Sequence, residues 1–301
     1  MQSRLSKFTL QWDIQIADAG KLVKDFLKEQ EISKASLTDI KFAGGKIMVN
    51  DEEVTVRKQL CAGDKVVVEF PLESPSESMH GEEVSLDIIY EDEYFLVINK
   101  PAGMNTIPSR EHPVGSLANG IIGYYERIGH QATVHIVTRL DRDTSGLVLV
   151  AKHRHIHHLM SKQQKVGTVK RKYVAFAEGI YSERKGKIEE PIGRKKDSII
   201  EREVQEDGQY ACTQFEVLKQ GNAYAHVSLQ LKTGRTHQIR VHLSYIGHPL
   251  LGDDLYGGEV SLIKRQALHC GKVEFFHPIK KDTLQFEVPM PSDMEKLFLK
   301  I

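Results

Sequence analysis

Nine residues, Thr138-Arg139-Leu140-Asp141-Arg142-Asp143-Thr144-Ser145-Gly146, lead without a break into Leu147-Val148-Leu149-Val150-Ala151. A charged turn that abuts an apolar run fits a buried strand with a polar loop at its mouth. A turn fixed by the strand behind it is a rigid seat for catalytic groups. Arg139 and Arg142 are expected to keep Asp141 ionised, because nearby positive charge favours the carboxylate. An ionised aspartate can act as nucleophile, base or metal ligand. The same residues also suit a surface ion-pair turn, and spacing alone leaves both readings open.

The chain has 301 residues, with 41 Lys+Arg against 41 Asp+Glu. That balance conceals segregation. Residues 1–70 carry 11 of each sign, whereas residues 71–93 carry eight acids and no Lys or Arg. Residues 94–301 are left with a net charge of +8. A basic body beside an acidic segment fits a polyanion binder whose positive charge is local. Cys61, Cys212 and Cys270 are widely spaced and odd in number, which speaks against a disulfide framework or a Cys-based zinc site. No apolar run approaches the roughly 20 residues of a membrane span, and residues 1–7 lack a secretory core. The expected location is cytoplasmic.

Pro71-Leu72-Glu73-Ser74-Pro75-Ser76-Glu77-Ser78 has the composition of a linker. The expected organisation is therefore a domain over 1–70, an acidic linker over 71–84 and a large domain over 85–301. In the first, Leu22, Phe26 and Leu27 predict a helix over 20–30, and a second helix is expected over Lys34–Lys41. Gly44-Gly45 ends it, before strands at 46–50 and 65–70. In the large domain, strands are expected at 94–99, 146–151, 172–177, 211–218, 225–231 and 284–288. They are mostly not separated by regular helices, so an α+β fold on a mixed, mainly antiparallel sheet is expected.

RLDRDTSGLVLVAK resembles the signature segment of the RluA/RluD-type RNA pseudouridine synthases. Lys172-Tyr173-Val174-Ala175, Thr233-Gly234-Arg235-Thr236-His237-Gln238-Ile239-Arg240-Val241-His242 and Val97–Met104 match in the same order. The resemblance runs from about residue 85 to the C-terminus. It implies a catalytic domain on a long bent sheet with a cleft across its middle. It also implies Asp141 as the catalytic aspartate, Arg240 as its partner, Tyr173 as the base-stacking ring, and no cofactor. Gly252-Asp253 and Tyr256-Gly257 match as well, as shapers of the cleft. "GGKIMVND" and "AGDKVVVEF" resemble an S-four-like RNA-binding domain, which implies Lys34, Lys41 and Lys46 as RNA contacts. Thr138 and Ile107 depart from the family pattern, since a histidine is common at both places.

The residues carry their own reading beside this. Ile239, Leu243 and Ile246 predict a helix over 237–246, with Thr236 as N-cap and Arg240 at the border of the apolar stripe. A guanidinium there should have a partner. In a strand, Tyr173 shares a face with Arg171 and Ala175, opposite Phe176. Phe176 marks the expected core side, and Tyr173 is expected to look across the cleft. The family's arginine before Leu-Asp props the space left by an extruded base, and Arg139 matches it. Lys152, Arg154, Lys162, Lys165, Lys170, Arg171 and Lys172 occur with no acid over 152–172, which predicts a phosphate-facing surface. His153, His155, His157 and His158 lack the carboxylate or thiol that a metal site would add, so no metal is expected.

The expected function is isomerisation of uridines to pseudouridine in structured RNA, ribosomal RNA ahead of transfer RNA, by a monomer with no obligate protein partner. A non-catalytic RNA-binding or ribosome-assembly factor retaining the fold is the second hypothesis. A glycosidase using Asp141 with Asp143 is the third; its carboxylates would need to stand roughly 5–9.5 Å apart across a sugar.

Overall fold

The computed structural model describes residues 7–76 and 79–300. Residues 1–6 of the expected first domain, Glu77 and Ser78 of the expected linker, and Ile301 lie outside the described residues.

The N-terminal part holds strand β1 (Thr9–Asp13), helices α1 (Val23–Glu29) and α2 (Lys34–Phe42), and strands β2 (Lys46–Val49), β3 (Glu52–Glu53) and β4 (Lys65–Glu69). They form a four-stranded antiparallel sheet in the order β1-β4-β2-β3. Alternating Val66, Val68, Ile47 and Val49 bury one face of this sheet against Phe26, Leu27 and Ile40. Strand β1 was not expected. Its Thr-Leu-Gln-Trp-Asp alternation is short and only Leu10 is buried. Helix α1 is shorter than expected, because Leu22 is extended and α1 begins only at Val23.

The large part contains β5 (Ile88–Glu91), β6 (Phe95–Lys100), α3 (Leu117–Ile128), β7 (His135–Ile136), β8 (Ser145–Ala151), α4 (Arg154–Lys165) and β9 (Lys170–Glu178). There follow β10 (Lys185–Ile188), β11 (Ile192–Arg194), β12 (Arg202–Val204), β13 (Thr213–Gln220), β14 (Tyr224–Leu231), α5 (Gln238–Tyr245), β15 (Leu268–His277) and β16 (Asp282–Glu287). One ten-stranded sheet runs β10-β13-β14-β9-β15-β8-β6-β5, with β16 on β15 and β7 on β8. Only the β15–β8 pairing is parallel, so the mixed, mainly antiparallel α+β architecture expected from the sequence is present.

Strand β15 joins the two halves. It sits between β8 and β9, which follow one another in the chain. All seven residues of β8 are buried, as its apolar run demands. Both faces of β9 are covered. Tyr173 and Ala175 belong to the main core, while Phe176 packs with Leu251, Ile263, Met294 and Leu297. Phe176 therefore does not mark the single core side, and Tyr173 is buried instead of looking across open space.

The expected linker is packed against the large part. Glu73 is 8% exposed. His135 Nε2 lies 2.5 Å from one of its carboxylate oxygens, and His153 Nε2 lies 3.2 Å from the other. Phe8 stacks on His153 at 4.1 Å and Phe70 meets His155 at 5.3 Å. Arg154 pairs with Asp39 at 3.1 Å, and Lys162 pairs with Glu31. The histidines after β8 thus form a seam between the two parts. His153 caps α4, its ring accepting from the backbone N–H of His155. Among the described residues no group of three His, Cys, Asp or Glu is arranged to hold a metal, and no helix is long and apolar enough to cross a membrane.

Candidate active site

The loop between β7 and β8 is fastened along its whole length. Thr138 is buried, and its hydroxyl accepts from the Leu149 N–H at 2.9 Å. Thr106 grips Leu140 twice, accepting from its N–H and donating to its carbonyl. The Thr144 N–H closes a turn on the Asp141 carbonyl. Arg265 donates to the Asp143 carbonyl at 3.1 Å, and Gln266 donates to the Thr144 hydroxyl at 3.2 Å. Gly146 is required where the loop becomes strand: its φ is 114°, and a Cβ there would meet the Cys270 carbonyl oxygen at 2.3 Å.

Lys100, which lies within the matched Val97–Met104 segment, is fully buried below this loop. Its ammonium donates to the carbonyls of Pro101, Met104 and Arg142 at 2.8–3.0 Å. Three protons meet three acceptors, which suits the charged form. Burial nevertheless pushes its pKa down to about 7, against the pull of Asp143 and Asp141.

These fastenings leave the Asp141 side chain 27% exposed. The sequence predicts that Arg139 and Arg142 keep it ionised, yet both are exposed and neither forms an ion pair with it. Arg142 turns to the Gly103 carbonyl at 3.4 Å instead. The neighbouring cation is Arg240, Nη1 lying 3.5 Å from Asp141 Oδ2.

Arg240 comes from α5, in the centre of the matched Thr233–His242 segment. Its main partner is Asp253, fully buried, with Nε and Nη2 each 2.7 Å from a carboxylate oxygen. Tyr256 lies over the guanidinium at 4.9 Å. Burial lowers the Arg240 pKa, but the Asp253 hydrogen bonds and charge more than offset this, so the group stays charged. The sequence pairing of Arg240 with Asp141 alone is therefore incomplete. Asp253, read as a residue that shapes the cleft, is the anchor. An arginine at the edge of an apolar stripe was the available signal, since its burial requires a carboxylate within reach.

The N-cap of α5 also differs. Thr236 does not cap it; His237 does, with φ 56° and no side-chain cap bond. Gln238 instead accepts from the Thr233 hydroxyl and the Arg235 N–H. His237 Nε2 lies 4.0 Å from Asp141 Oδ2, and burial holds its pKa below the ordinary histidine value against the charge of Asp141. His242 is consumed structurally between the Thr213 hydroxyl and the Glu190 carbonyl.

Tyr173 is 3% exposed, and its hydroxyl accepts from Arg171 at 3.2 Å. Burial pushes its phenol pKa up, and the charge of Asp141 adds to the rise. Of the expected phosphate-facing cations, Lys152 pairs with Glu91, Arg154 with Asp39 and Glu73, Lys162 with Glu31, and Lys170 with Glu274. Arg139, Lys165 and Lys172 remain exposed without an ion pair among the described residues. On α2, Lys34 and Lys41 are exposed and seven residues apart, hence on one face; Asp39, which meets Arg154, lies on the other side. Lys46 is exposed and 3.8 Å from Glu53.

The geometry is that of a rigidly seated carboxylate, open to solvent and backed by a fixed guanidinium. A family model described as RNA pseudouridylate synthase matches residues 94–245. The chain is 54% identical over 275 residues to a Bacillus subtilis protein called uncharacterized RNA pseudouridine synthase YjbO, covering 91% of this chain and 97% of that one. It is 36% identical to ribosomal large subunit pseudouridine synthase D of Vibrio parahaemolyticus, over 83% of this chain and 81% of the relative. The solved structure of human RNA pseudouridylate synthase domain containing 1 superposes with a TM-score of 0.57 at 26% identity, covering 69% of this chain and 85% of that one.

Proposed function

Since this chain belongs to the RNA pseudouridine synthases and is an intramolecular isomerase of RNA uridine, we propose that its substrate is ribosomal RNA and its reacting group Asp141. The observation that carries the second half is the Asp141–Arg240 arrangement: a carboxylate exposed on one side, held on the other at 3.5 Å. Pseudouridine formation breaks the N1–C1′ bond and makes a C5–C1′ bond. N1 gains a proton and C5 loses one, so no net oxidation occurs. One ionised oxygen beside the ribose suffices to begin this, and no cofactor is called for.

The base must first leave its stack, at a cost of a few kcal/mol. Arg139, exposed beside Asp141 and unpaired, is suited to occupy the vacated space. Tyr173, read as the base-stacking ring, is 3% exposed, so in this reading it is a buried ring against which the entering base stops. Lys172, Arg171 and Lys170 flank it, although Lys170 is partly neutralised by Glu274. Residues 1–70, read as an S-four-like module, offer the Lys34/Lys41 face and Lys46 to RNA. The ribosomal assignment is supported by the Vibrio relative, whose name specifies the large ribosomal subunit, and by this second basic face, which a large folded RNA could engage together with the cleft. We place the reaction in the cytoplasm.

The test is pseudouridine mapping in ribosomal and transfer RNA from cells with the gene, without it, and with only the Asp141→Asn form. The expected result is loss of one or a few ribosomal sites, not restored by Asp141→Asn. Loss confined to transfer RNA would overturn the substrate, and restoration by Asp141→Asn would overturn the role of Asp141.

A further inference from the structure

Five non-glycine residues among those described have a left-handed backbone: Glu31, Asn50, Asp51, His237 and Lys281. Four are exposed, whereas the His237 side chain is 12% exposed and lies beside Asp141. Backbone strain at such a place persists only when surrounding contacts over-determine it. Here they are specific. His237 Nδ1 lies 2.9 Å from the Tyr256 hydroxyl oxygen. That oxygen accepts from the Arg202 backbone N–H at 3.0 Å, which leaves the hydroxyl proton free to be donated to Nδ1. An imidazole that accepts at Nδ1 carries its own proton at Nε2.

Nε2 and Arg240 Nη1 face the same atom, Asp141 Oδ2, at 4.0 and 3.5 Å. No hydrogen bond or ion pair reaches Oδ1 among the described residues. We propose that His237 is a positioning residue: its neutral Nε2–H joins Arg240 in holding Oδ2 of Asp141, so that Oδ1 is the oxygen presented to the ribose. This rests on the reading of Asp141 as the reacting carboxylate.

The charges favour such a device. The Arg240 charge is already shared with Asp253, so Asp141, Arg240, Asp253 and a neutral His237 sum to one negative charge. A second cation would stabilise the resting carboxylate and blunt its reactivity; a neutral N–H orients it without that penalty. At 4.0 Å the His237 Nε2–Asp141 contact is longer than a hydrogen bond, and in this proposal it closes when substrate arrives, as catalytic hydrogen bonds that are long in the free enzyme do.

Two substitutions separate backbone from donor. Asn tolerates the left-handed conformation well but is too short to reach Oδ2, whereas Gln can place an amide N–H near the Nε2 position. On one RNA substrate, His237→Asn should lower kcat on the order of a hundredfold, the loss expected when a reacting group shifts by about 1 Å. KM should stay within about twofold and the melting midpoint should not fall. His237→Gln should recover kcat to within severalfold of wild type. Equal kcat in wild type and His237→Asn, or equal loss in both folded variants, would overturn the proposal. If either variant does not fold, the nitrogen NMR spectrum of wild-type His237 still decides: protonated Nε2 supports the proposal, and protonated Nδ1 overturns it. Asp141→Asn is run in parallel. Activity there would remove the underlying reading, while an inactive Asp141→Asn beside an active His237→Asn would remove only this inference.

Discussion

Asp253 holds Arg240 at two points, each 2.7 Å, from a position with no solvent exposure. The guanidinium is thereby aimed at Asp141 before any substrate arrives. Removing one member of a buried charge pair strands the other, at about 3–5 kcal/mol. Asp253→Ala should therefore lose stability on that scale along with most activity. Asp141→Asn, on a side chain that is partly exposed, should lose activity with a stability change of about 1 kcal/mol or less. Denaturant melts and single-turnover rates for both variants check this. A melt of Asp253→Ala matching that of wild type would mean that the pair does not hold Arg240.

Arg139 stands exposed with no ion pair among the described residues. Arg139→Ala should leave stability unchanged within about 0.5 kcal/mol. If its work is to fill the place of an extruded base, turnover should fall on uridine in a helix or structured loop and be spared on an unpaired oligonucleotide. Equal loss on both would assign Arg139 to general phosphate binding.

Lys100 makes alkaline stability informative. Burial first, opposed by Asp143 and Asp141, brings its pKa to about 7 from an ordinary 10.5. Between those values the unfolded chain keeps a proton that the folded chain has released, so this group's contribution to stability rises with pH across that window. Lys100→Met should remove that part of the slope and leave three carbonyls without their donor. Urea melts at about pH 7 and pH 9.5 compare the two proteins; identical slopes would mean that Lys100 keeps its proton throughout.

The seam between the small sheet and the large one should respond to acid. Burial holds His153 at about 3 and His155 at about 4. Burial raises the Glu73 pKa, yet the His135 hydrogen bond, the histidine charges and the Arg154 N–H bring it below its ordinary value. When the parts separate, both imidazoles regain ordinary values near 6.5 and take up protons. Docking should therefore be firm near neutrality and weaken as pH falls below about 6.5, with the Glu73 contribution lost below about 4.5. X-ray scattering at about pH 7.5 and pH 5 should record a more extended particle at the lower value. An unchanged radius of gyration would contradict the histidine seam.

Local patterns made part of this molecule legible. The run Leu147–Ala151 specified β8, and the charged turn before it located Asp141. Alternation in Lys46–Val49 and Lys65–Glu69 specified the small sheet. Strand β15 was not legible, because the alternation of Leu268-His269-Cys270 changes phase across Gly271 before Lys272-Val273-Glu274-Phe275 resumes it, which splits one strand into two short stretches. The basic tract over 152–172 is less free than its sequence suggests, for a different reason. Four of its cations meet Glu91, Asp39, Glu73, Glu31 and Glu274, acids brought in from distant segments. Counting charge along a chain cannot register such pairing. The pairing of Asp253 with Arg240 was hidden in the same way, since the two stand thirteen residues apart and on no shared helix face.

The position of β15 between β8 and β9 also orders events during synthesis. Asp141 precedes β8 and Tyr173 lies on β9, only 32 residues apart in the numbering, yet the strand that seats them side by side begins at Leu268. A growing chain that has already made both residues still lacks the spacer between their strands. It must wait roughly a hundred residues, several seconds at ordinary elongation rates. The site around Asp141 therefore comes together only after β15 has left the exit tunnel.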